Sequence, residues 1–382
     1  MPPDDAGHYR PAWKNYNIKI PEGRAAAAVP LRESTTAVRR GCPVRSNAMQ
    51  EPARGRDYAG CRGIRPKEET MEQDMIRIHN LVKRYGDVTA LNHLDLTVRE
   101  GEIFGLLGPN GSGKTTAINC VLALLKIDRG EIEVFGKPMT PSSYEAKRQI
   151  GVVFQNVAVF EELSVLENVD YFCSLYVPEK VRRRSLVEEA LEFTGLQDFR
   201  KKRPKQLSGG LLRRLNIACG IAHKPRLIFM DEPTVAVDPQ SRSHILDGIV
   251  RLNQEGSTIV YTSHYMEEVE QICTRIAILD HGKCVAGGTA DELKGMIRTA
   301  ETITVEGIDL RPEILEQLKQ AEGVFSADYS GDVLKLKYST SGNLIRLLHV
   351  FEAEGIAFGR VFSEKPTLND VFLEITGKDL RD

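Results

Sequence analysis

The sequence has no hydrophobic run long enough to cross a membrane. Its nearly unbroken apolar stretches, such as residues 121–125 and 151–153, fall far short of the roughly 18 to 20 residues that a transmembrane helix needs. Charge of one sign is also missing, because 51 lysines and arginines stand against 53 acidic residues in 382. The chain therefore does not span a membrane itself, and it lacks the net basicity typical of nucleic-acid-binding proteins.

Paired cysteines are absent as well. The seven cysteines are an odd number, lie far apart, and include no C-x-x-C pair. A reduced, cytosolic compartment is the simplest interpretation of this pattern. Cys120, Cys173, Cys219 and Cys273 lie in apolar helical stretches, which favours packing over redox chemistry because a free cysteine behaves there as a small hydrophobe.

The first 70 residues have few apolar side chains. Seven of them are Leu, Ile, Val or Phe, eight are proline, and 13 lysines and arginines outnumber 8 acids. Such a segment cannot bury enough surface to fold, so residues 1–70 are expected to be a disordered leader. A second interpretation is a start codon assigned too early, with Met71 or Met75 as the better start. The segment has neither the apolar core of a secretory signal nor the acid-poor composition of a transit peptide.

Residues 71–300 alternate short β-rich runs with amphipathic helices, a pattern that predicts an α/β domain. IFGLL, IGVVF, RLIFM and STIVYTS are among the predicted strands, and RRLNIACGIA is a predicted helix. Residues 301–382 follow a strand-helix-strand-strand-helix-strand pattern, which predicts a small α+β accessory domain. The final stretch, TLNDVFLEITG, predicts an amphipathic helix with Val371, Phe372 and Ile375 on its apolar face, packed in the accessory core.

Residues 108–115 (GPNGSGKT) match G-x-x-x-x-G-K-[ST] between a predicted strand and a predicted helix, the context in which this pattern forms a P-loop. Glycines let backbone N–H groups turn toward phosphate, and the helix N-terminus adds its dipole. Lys114 would contact the β and γ phosphates, and the Thr115 hydroxyl would bind Mg²⁺. The predicted nucleotide-binding residues here are Gly108, Pro109, Asn110, Gly111, Ser112, Gly113, Lys114, Thr115 and Thr116.

An apolar run, LIFM, ends in two adjacent carboxylates, Asp231 and Glu232. Alternation along a strand directs them to opposite sides. Asp231 is predicted to hold Mg²⁺ through its water shell. Glu232 is predicted to orient and deprotonate the water that attacks the γ phosphate.

From 76 to about 298 the chain resembles the nucleotide-binding domain of ATP-binding cassette (ABC) transporters, because further motifs follow in that family's order. The resemblance implies that Gln155 reaches Mg²⁺ or the attacking water, that His264 is the switch histidine, and that Tyr85 stacks on adenine. Residues 207–211 (LSGGL) match the family's LSGGQ signature, and residues 233–238 match its D-loop. The residues implied to contact nucleotide are Tyr85, Ser208, Gly209, Gly210 and Asp238.

Three expectations about the signature helix and the catalytic set complete the site. The resemblance implies Glu232, His264 and Gln155 as catalytic residues, and Thr115, Gln155 and Asp231 as Mg²⁺ ligands. Leu211 replaces the usual glutamine, but activity should be retained because the Ser208 hydroxyl and backbone N–H groups remain. Arg213 and Arg214, on the following helix, are interpreted as a solvated face.

The resemblance also implies partners and location. A chain with one P-loop and one signature should work as a dimer, in which ATP binding forms two composite sites. Separate polytopic permease subunits would carry the solute, with the ATPase on the cytoplasmic face of the cell membrane. Motifs such as SHYMEEVEQICTRIAILDHGK resemble drug-resistance-type exporters, so efflux of a drug-like, lipid or similar solute is expected. The alternative is a soluble ABC ATPase that acts on nucleic acid or ribosomes.

Overall fold

Three β-sheets organise the chain in the computed structural model, which describes residues 74–377. The predicted leader, residues 1–70, lies outside the described residues. The first sheet is antiparallel in the order β2-β1-β4-β5. In chain order its strands are β1 (Asp74–Tyr85), β2 (Val88–Arg99), β4 (Arg129–Val134) and β5 (Lys137–Pro138).

The second sheet has six strands in the order β10-β9-β3-β8-β7-β6. Neighbouring strands are parallel except for the antiparallel β9–β10 pair. The strands β3, β7 and β8 are buried along their whole length, as expected for a parallel sheet covered on both faces. Its strands are β3 (Ile103–Leu107), β6 (Ile150–Val153), β7 (Leu227–Asp231), β8 (Thr258–Ser263), β9 (Arg275–Asp280) and β10 (Lys283–Gly288).

Eight helices accompany these two sheets in the described part of the chain. They are α1 (Lys114–Val121), α2 (Tyr144–Lys147), α3 (Val165–Ser174), α4 (Lys180–Phe193), α5 (Gly209–Ile221), α6 (Pro239–Gln254), α7 (Met266–Ile272) and α8 (Ala290–Lys294). Helix α1 lies in the core between the first and second sheets. Helices α6, α7 and α8 cover the other face of the second sheet, and α3, α4 and α5 form a separate helical core.

The third sheet belongs to the predicted accessory segment. Its strands β11 (Glu301–Glu306), β12 (Val324–Ser330), β13 (Val333–Tyr338) and β14 (Val361–Glu364) are antiparallel in the order β12-β13-β11-β14. Helices α9 (Pro312–Lys319) and α10 (Leu344–Ala353) cover one face with a core of their own. This is the predicted strand-helix order, and it gives a ferredoxin-like arrangement. The predicted domain boundaries at 70 and 300 stay predictions.

The last helix, α11 (Leu368–Thr376), does not pack where the sequence suggested. Leu368, Val371 and Phe372 are buried in the core cluster of α6, α7 and α8, while Ile375 is 37% exposed. The expectation that this helix packs in the accessory core is therefore wrong. Its apolar stripe fits the second sheet's helical layer, where the Glu374 carboxylate also accepts hydrogen bonds from the Arg298 N–H and the Thr299 hydroxyl.

Bilayer-spanning helices are absent from residues 74–377, where no helix is both long enough and apolar enough. The α/β cassette followed by a small α+β unit agrees with the predicted fold class.

His223 is a buried histidine that should make the stability of the fold depend on pH. Its ring stacks on Tyr176 with centroids 3.9 Å apart, Nε2 lies 3.2 Å from the Ile150 carbonyl oxygen, and the buried Nδ1 has no hydrogen-bond partner. Burial, partly opposed by the Ile150 hydrogen bond, lowers the pKa of His223 from 6.5 to about 4. Protonation would leave a buried N–H unpaired, so the folded state keeps the ring neutral.

We expect this histidine to reduce stability as the pH falls. Between about pH 6.5 and about pH 4 the unfolded chain binds a proton that the folded chain does not. The free energy of unfolding should therefore fall by up to about 3 kcal/mol over that window and level off below it. Urea unfolding of the wild type and His223→Gln at pH 7.5, 5.5 and 4.5 isolates the effect, since glutamine keeps an N–H donor. Parallel pH dependences for the two proteins would contradict it.

Candidate functional site

The P-loop connects β3 to α1, as predicted, and its glycines permit a tight path. A Cβ on Gly108 would lie 2.4 Å from the Leu279 carbonyl oxygen, so the loop is pressed against β9. Gly113 immediately before α1 has φ of 108°, in the left-handed region that favours glycine. These two positions hold the loop around the start of α1.

Lys114 is the cation at the centre of the loop, and its side chain is 5% exposed. Nζ donates hydrogen bonds to the Gly108 carbonyl at 2.7 Å and the Pro109 carbonyl at 3.1 Å, and lies 4.0 Å from Oε1 of Glu232. Burial lowers the pKa of Lys114, while the Glu232 and Asp231 carboxylates oppose that shift. An ammonium group held in this way is placed to meet an anionic ligand.

Two buried polar atoms of the site have no hydrogen-bond partner. They are Oγ of Ser112 in the P-loop and Nδ1 of His264, which follows β8. Buried polar groups are normally hydrogen-bonded, so an unpaired one calls for an explanation. Phosphate oxygens are strong acceptors that could satisfy both groups.

Asp231 ends β7 beside the P-loop. Its Oδ2 accepts a hydrogen bond from the Thr115 hydroxyl at 3.0 Å, and its Oδ1 accepts one from the Thr262 hydroxyl at 2.7 Å. The carboxylate is buried. This arrangement joins the start of α1 to the ends of β7 and β8, and it gathers oxygen atoms of the kind that Mg²⁺ prefers.

Glu232 lies just beyond β7, and its backbone has φ of 48°. That left-handed conformation costs energy for a residue with a side chain. The Glu232 N–H donates to the Thr262 hydroxyl at 3.0 Å, which helps to hold it. The predicted alternation along a strand does not apply to Glu232, because β7 ends at Asp231 and the turn that follows directs the Glu232 side chain.

The Glu232 carboxylate has three polar neighbours. Gln155 donates from Nε2 to Oε2 at 2.8 Å, His264 Nδ1 lies 3.6 Å from Oε1, and Lys114 lies on the same side. The structure therefore brings together six residues predicted from the sequence. These residues are Lys114, Thr115, Gln155, Asp231, Glu232 and His264.

Other predicted nucleotide contacts lie apart from this cluster. Ser208 caps α5, where its hydroxyl accepts a hydrogen bond from the Leu211 N–H at 3.3 Å. Asp238 caps α6 by accepting from the Ser241 N–H at 2.9 Å. Tyr85 is 49% exposed at the end of β1, with Lys83 Nζ 5.1 Å from its ring centroid. Among residues 74–377, no hydrogen bond or ion pair joins Tyr85, Ser208 or Asp238 to the six clustered residues.

Two residues that contact the catalytic cluster or the Gln155 segment were not predicted from the sequence. Thr262 hydrogen-bonds to Asp231 and Glu232, and its position at the end of a predicted strand was the available signal. Arg213 was interpreted as solvated, but it is 8% exposed and contacts the segment that carries Gln155. That interpretation is wrong because the arginine faces inward from α5, a direction that no local pattern revealed.

The chain is similar to known proteins in both sequence and fold. The family described as "ABC transporter" matches residues 91–235. The linearmycin resistance ATP-binding protein of Bacillus subtilis (strain 168) is 37% identical over 313 residues, which cover 81% of this chain and 100% of the relative. The daunorubicin resistance ATP-binding protein DrrA3 of Streptomyces coeruleorubidus is 35% identical over 317 residues, with coverage of 81% and 98%.

A third relative is the Nod factor export ATP-binding protein I of Sinorhizobium fredii (strain NBRC 101917 / NGR234), which is 32% identical over 339 residues. The alignment covers 88% of this chain and 95% of the relative. Among solved structures, a dimeric ATP-binding cassette bound to ADP and Pi matches with a TM-score of 0.52 and 29% identity. It covers 56% of this chain and 98% of that one.

The names of the relatives bear on the two functions left open by the sequence. The relatives carry names of drug-resistance and export systems, which favours the exporter interpretation over the nucleic-acid alternative. Since the match to the linearmycin resistance protein spans that protein's whole length at 37% identity, the chain belongs to the ABC transporter family, as an ATP-binding subunit with ATPase activity.

Proposed function

We propose that the chain is the ATP-hydrolysing subunit of an ABC exporter on the cytoplasmic face of the cell membrane. It binds Mg-ATP at sites shared between two copies and drives efflux of a drug-like, lipid or similar solute through separate permease subunits. The observation that carries the proposal is the cluster of Lys114, Gln155, Asp231, Glu232 and His264 around one P-loop.

Each residue has a task that follows from its position. Lys114 exchanges its two P-loop carbonyl partners for phosphate oxygens when ATP binds. Glu232 accepts a proton from the attacking water, and Gln155 orients Glu232 through the 2.8 Å hydrogen bond. His264, whose Nδ1 has no hydrogen-bond partner and lies 3.6 Å from Oε1 of Glu232, binds the γ phosphate and fixes it beside Glu232. Positioned acid–base groups of this kind contribute about 10²- to 10⁴-fold to enzymatic rates.

The oxygen atoms of Thr115, Asp231 and Gln155 fit Mg²⁺. Hydroxyl, carboxylate and amide oxygens are the hard ligands that this ion takes. No group of three or more His, Cys, Asp or Glu residues within 74–377 forms a metal cage, and a nucleotide-bound Mg²⁺ needs none because phosphates and water supply most ligands. When bound, Mg²⁺ neutralises charge on the phosphates.

A second copy completes each site in this proposal. Ser208, Gly209 and Gly210 lie at the N-terminal end of α5, where backbone N–H groups and the helix dipole favour an anion. Within residues 74–377 they make no hydrogen bond to the six clustered residues. In this proposal the nucleotide that they cap is that of another copy. Support comes from the dimeric cassette with ADP and Pi, which this chain resembles.

An exposed apolar groove next to Gln155 fits a permease helix. The groove has a volume of about 310 Å³ and is lined in part by Leu124, Phe154, Leu175 and Tyr176. Leu124 and Leu175 are 54% and 57% exposed. In the segment that follows Gln155, residues 156–169, Phe160 is 42% exposed, whereas Val159 and Leu166 pack on the helical core.

We expect Leu175→Glu to weaken membrane recovery without affecting the ATP site. A carboxylate in the groove would oppose burial of an apolar helix face, because a buried unpaired charge is costly. The membrane-bound fraction of the full-length Leu175→Glu variant, expressed in the native host, should be at least tenfold smaller than that of wild type. Its basal ATP turnover should stay within twofold of wild type. Val181→Glu is the matched control, since Val181 is 81% exposed outside the groove. Equal membrane recovery for the two variants would count against the groove.

The proposed function as a whole is tested by capture of the working complex. The tagged full chain carrying Glu232→Gln is expressed in the native host, trapped with ATP, and recovered from detergent-solubilised membranes. A polytopic membrane protein in equal amount is the expected result. Recovery only in the soluble fraction, with ribosomes or DNA, would overturn the export function.

A further inference from the structure

Two side chains of helix α5, which begins within the signature, hydrogen-bond to the segment that carries Gln155. Arg213, on α5, donates from Nη1 to the Gln155 carbonyl at 2.6 Å and to the Phe154 carbonyl at 3.4 Å. Asn216 lies three residues later, hence on the same helix face. Its side chain donates to the Phe154 carbonyl at 3.1 Å and accepts from the Ala158 N–H at 3.1 Å.

These two side chains are buried, in contrast to the segment that they hold. Arg213 is 8% exposed and Asn216 is 5% exposed, whereas Phe154, Gln155 and Ala158 are exposed. An exposed segment has few packing contacts to fix its path. Hydrogen bonds between these two side chains and the segment's backbone therefore define where residues 154–158 lie.

The partners of Arg213 are unusual for a buried cation. Within residues 74–377 no carboxylate oxygen lies within 4.0 Å of its guanidinium, and its hydrogen bonds go to neutral carbonyl groups. Burial lowers the pKa of Arg213, and the more distant Glu232 carboxylate opposes that shift. A buried charge is costly unless it is well hydrogen-bonded, so an arginine aimed at a loop indicates a positioning task rather than core packing.

The contacts of Arg213 and Asn216 bear on the hydrogen bond from Gln155 to Glu232. The Gln155 carbonyl held by Arg213 belongs to the same residue whose amide donates to Glu232 at 2.8 Å. Helix α5 also begins with Gly209 and Gly210, directly after Ser208. One rigid helix therefore connects the signature at its start with the Gln155 backbone, which it holds about one turn later.

We propose that Arg213 and Asn216 are positioning residues for ATP hydrolysis. They fix the backbone of Gln155 from the signature helix, so that seating of Ser208 on a partner's nucleotide orients Gln155 against Glu232 in the same chain. This inference rests on the proposed roles of Glu232 and Gln155. It adds a direct route by which dimer closure at one site reaches the base of the other.

The first experiment compares Arg213→Met with Arg214→Met. Arg214 lies on the same turn, but its Nη1 donates to the Thr194 carbonyl at 3.3 Å, away from the Gln155 segment. Arg213→Met should lower kcat for Mg-ATP at least tenfold, with KM and the Kd for ATP in EDTA within threefold. Arg213→Lys, which keeps a donor, should recover part of kcat, and Arg214→Met should stay within twofold of wild type.

The second experiment separates positioning from general destabilisation. In a Gln155→Ala background, Arg213→Met should change kcat less than twofold, because its effect runs through Gln155. A full tenfold loss in that background would overturn the inference. Asn216→Ala is a smaller perturbation that should show the same split and the same non-additivity, and it decides the matter if Arg213→Met does not fold.

Failure of this inference differs from failure of the proposed site. If Glu232→Gln keeps wild-type turnover, the proposed role of Glu232 is wrong and nothing remains for Arg213 to position. If Glu232→Gln and Gln155→Ala both lose activity while Arg213→Met and Asn216→Ala match wild type, only the positioning role is wrong.

Discussion

Replacing Glu232 with glutamine is expected to reduce ATP turnover at least a hundredfold while ATP binding persists. The amide keeps the shape of the side chain but cannot accept a proton from water, and general-base catalysis is worth about 10²- to 10⁴-fold. Binding should survive because the P-loop and Lys114 are unchanged. Phosphate release measures turnover, and equilibrium dialysis with ATP measures Kd.

The same variant should accumulate as a dimer in saturating Mg-ATP, because hydrolysis no longer reopens the two shared sites. Light scattering after gel filtration reports the mass. Glu267→Gln is the matched control, since Glu267 is exposed on the first turn of α7. If Glu232→Gln keeps ATP turnover within threefold of wild type, or stays a monomer under saturating Mg-ATP, then Glu232 does not have the proposed role.

Lys114→Met is expected to abolish useful ATP binding without unfolding the protein. Charge-assisted hydrogen bonds are worth about 1.5 to 3 kcal/mol each, so two lost phosphate contacts should raise the Kd for ATP about a hundredfold or more. The protein should stay folded without nucleotide because methionine fills the same space. Its melting temperature reports the cost of leaving the buried Glu232 carboxylate without this cation.

The comparison variant for this prediction is Lys137→Met, which removes an exposed lysine on the edge strand β5. It should bind ATP like wild type. Calorimetry gives both Kd and the melting temperature of each variant. A Kd within threefold of wild type for Lys114→Met, or loss of its folded state, would contradict the role assigned to this ammonium group.

Much of the fold follows from local patterns in the sequence. The strands β3, β7 and β8 are continuous apolar runs, which require burial on both faces and therefore a central parallel sheet. The P-loop and the carboxylate pair end two of these strands, so their meeting at one sheet edge follows from topology. The short strand β5 and the glycine-rich β10 have no such apolar run, and neither was predicted.

Long-range direction is what local patterns do not contain. Arg213 and Arg214 are adjacent, yet one faces the Gln155 segment and the other the end of α4. The C-terminal helix α11 has a readable apolar stripe, but two cores were available to receive it. Glu232 is directed by a left-handed turn rather than by its strand. Each of these depends on contacts between residues far apart in the chain.

The most direct test of the account mixes two inactive variants. Glu232→Gln lacks the base but keeps its signature, and Ser208→Arg blocks the signature but keeps the base. Each alone should hydrolyse ATP at least a hundredfold more slowly than wild type. Mixed in equal amounts, they should hydrolyse ATP well above the rate of either variant alone, with about a quarter of wild-type turnover as the upper limit, because half of the random dimers contain one site with both a base and an open signature. The rate should stay below that limit, since the copy that supplies the base has a blocked signature and its Gln155 is not oriented by Ser208. Turnover of the mixture no higher than that of the separate variants would contradict sites shared between two copies of this ATPase.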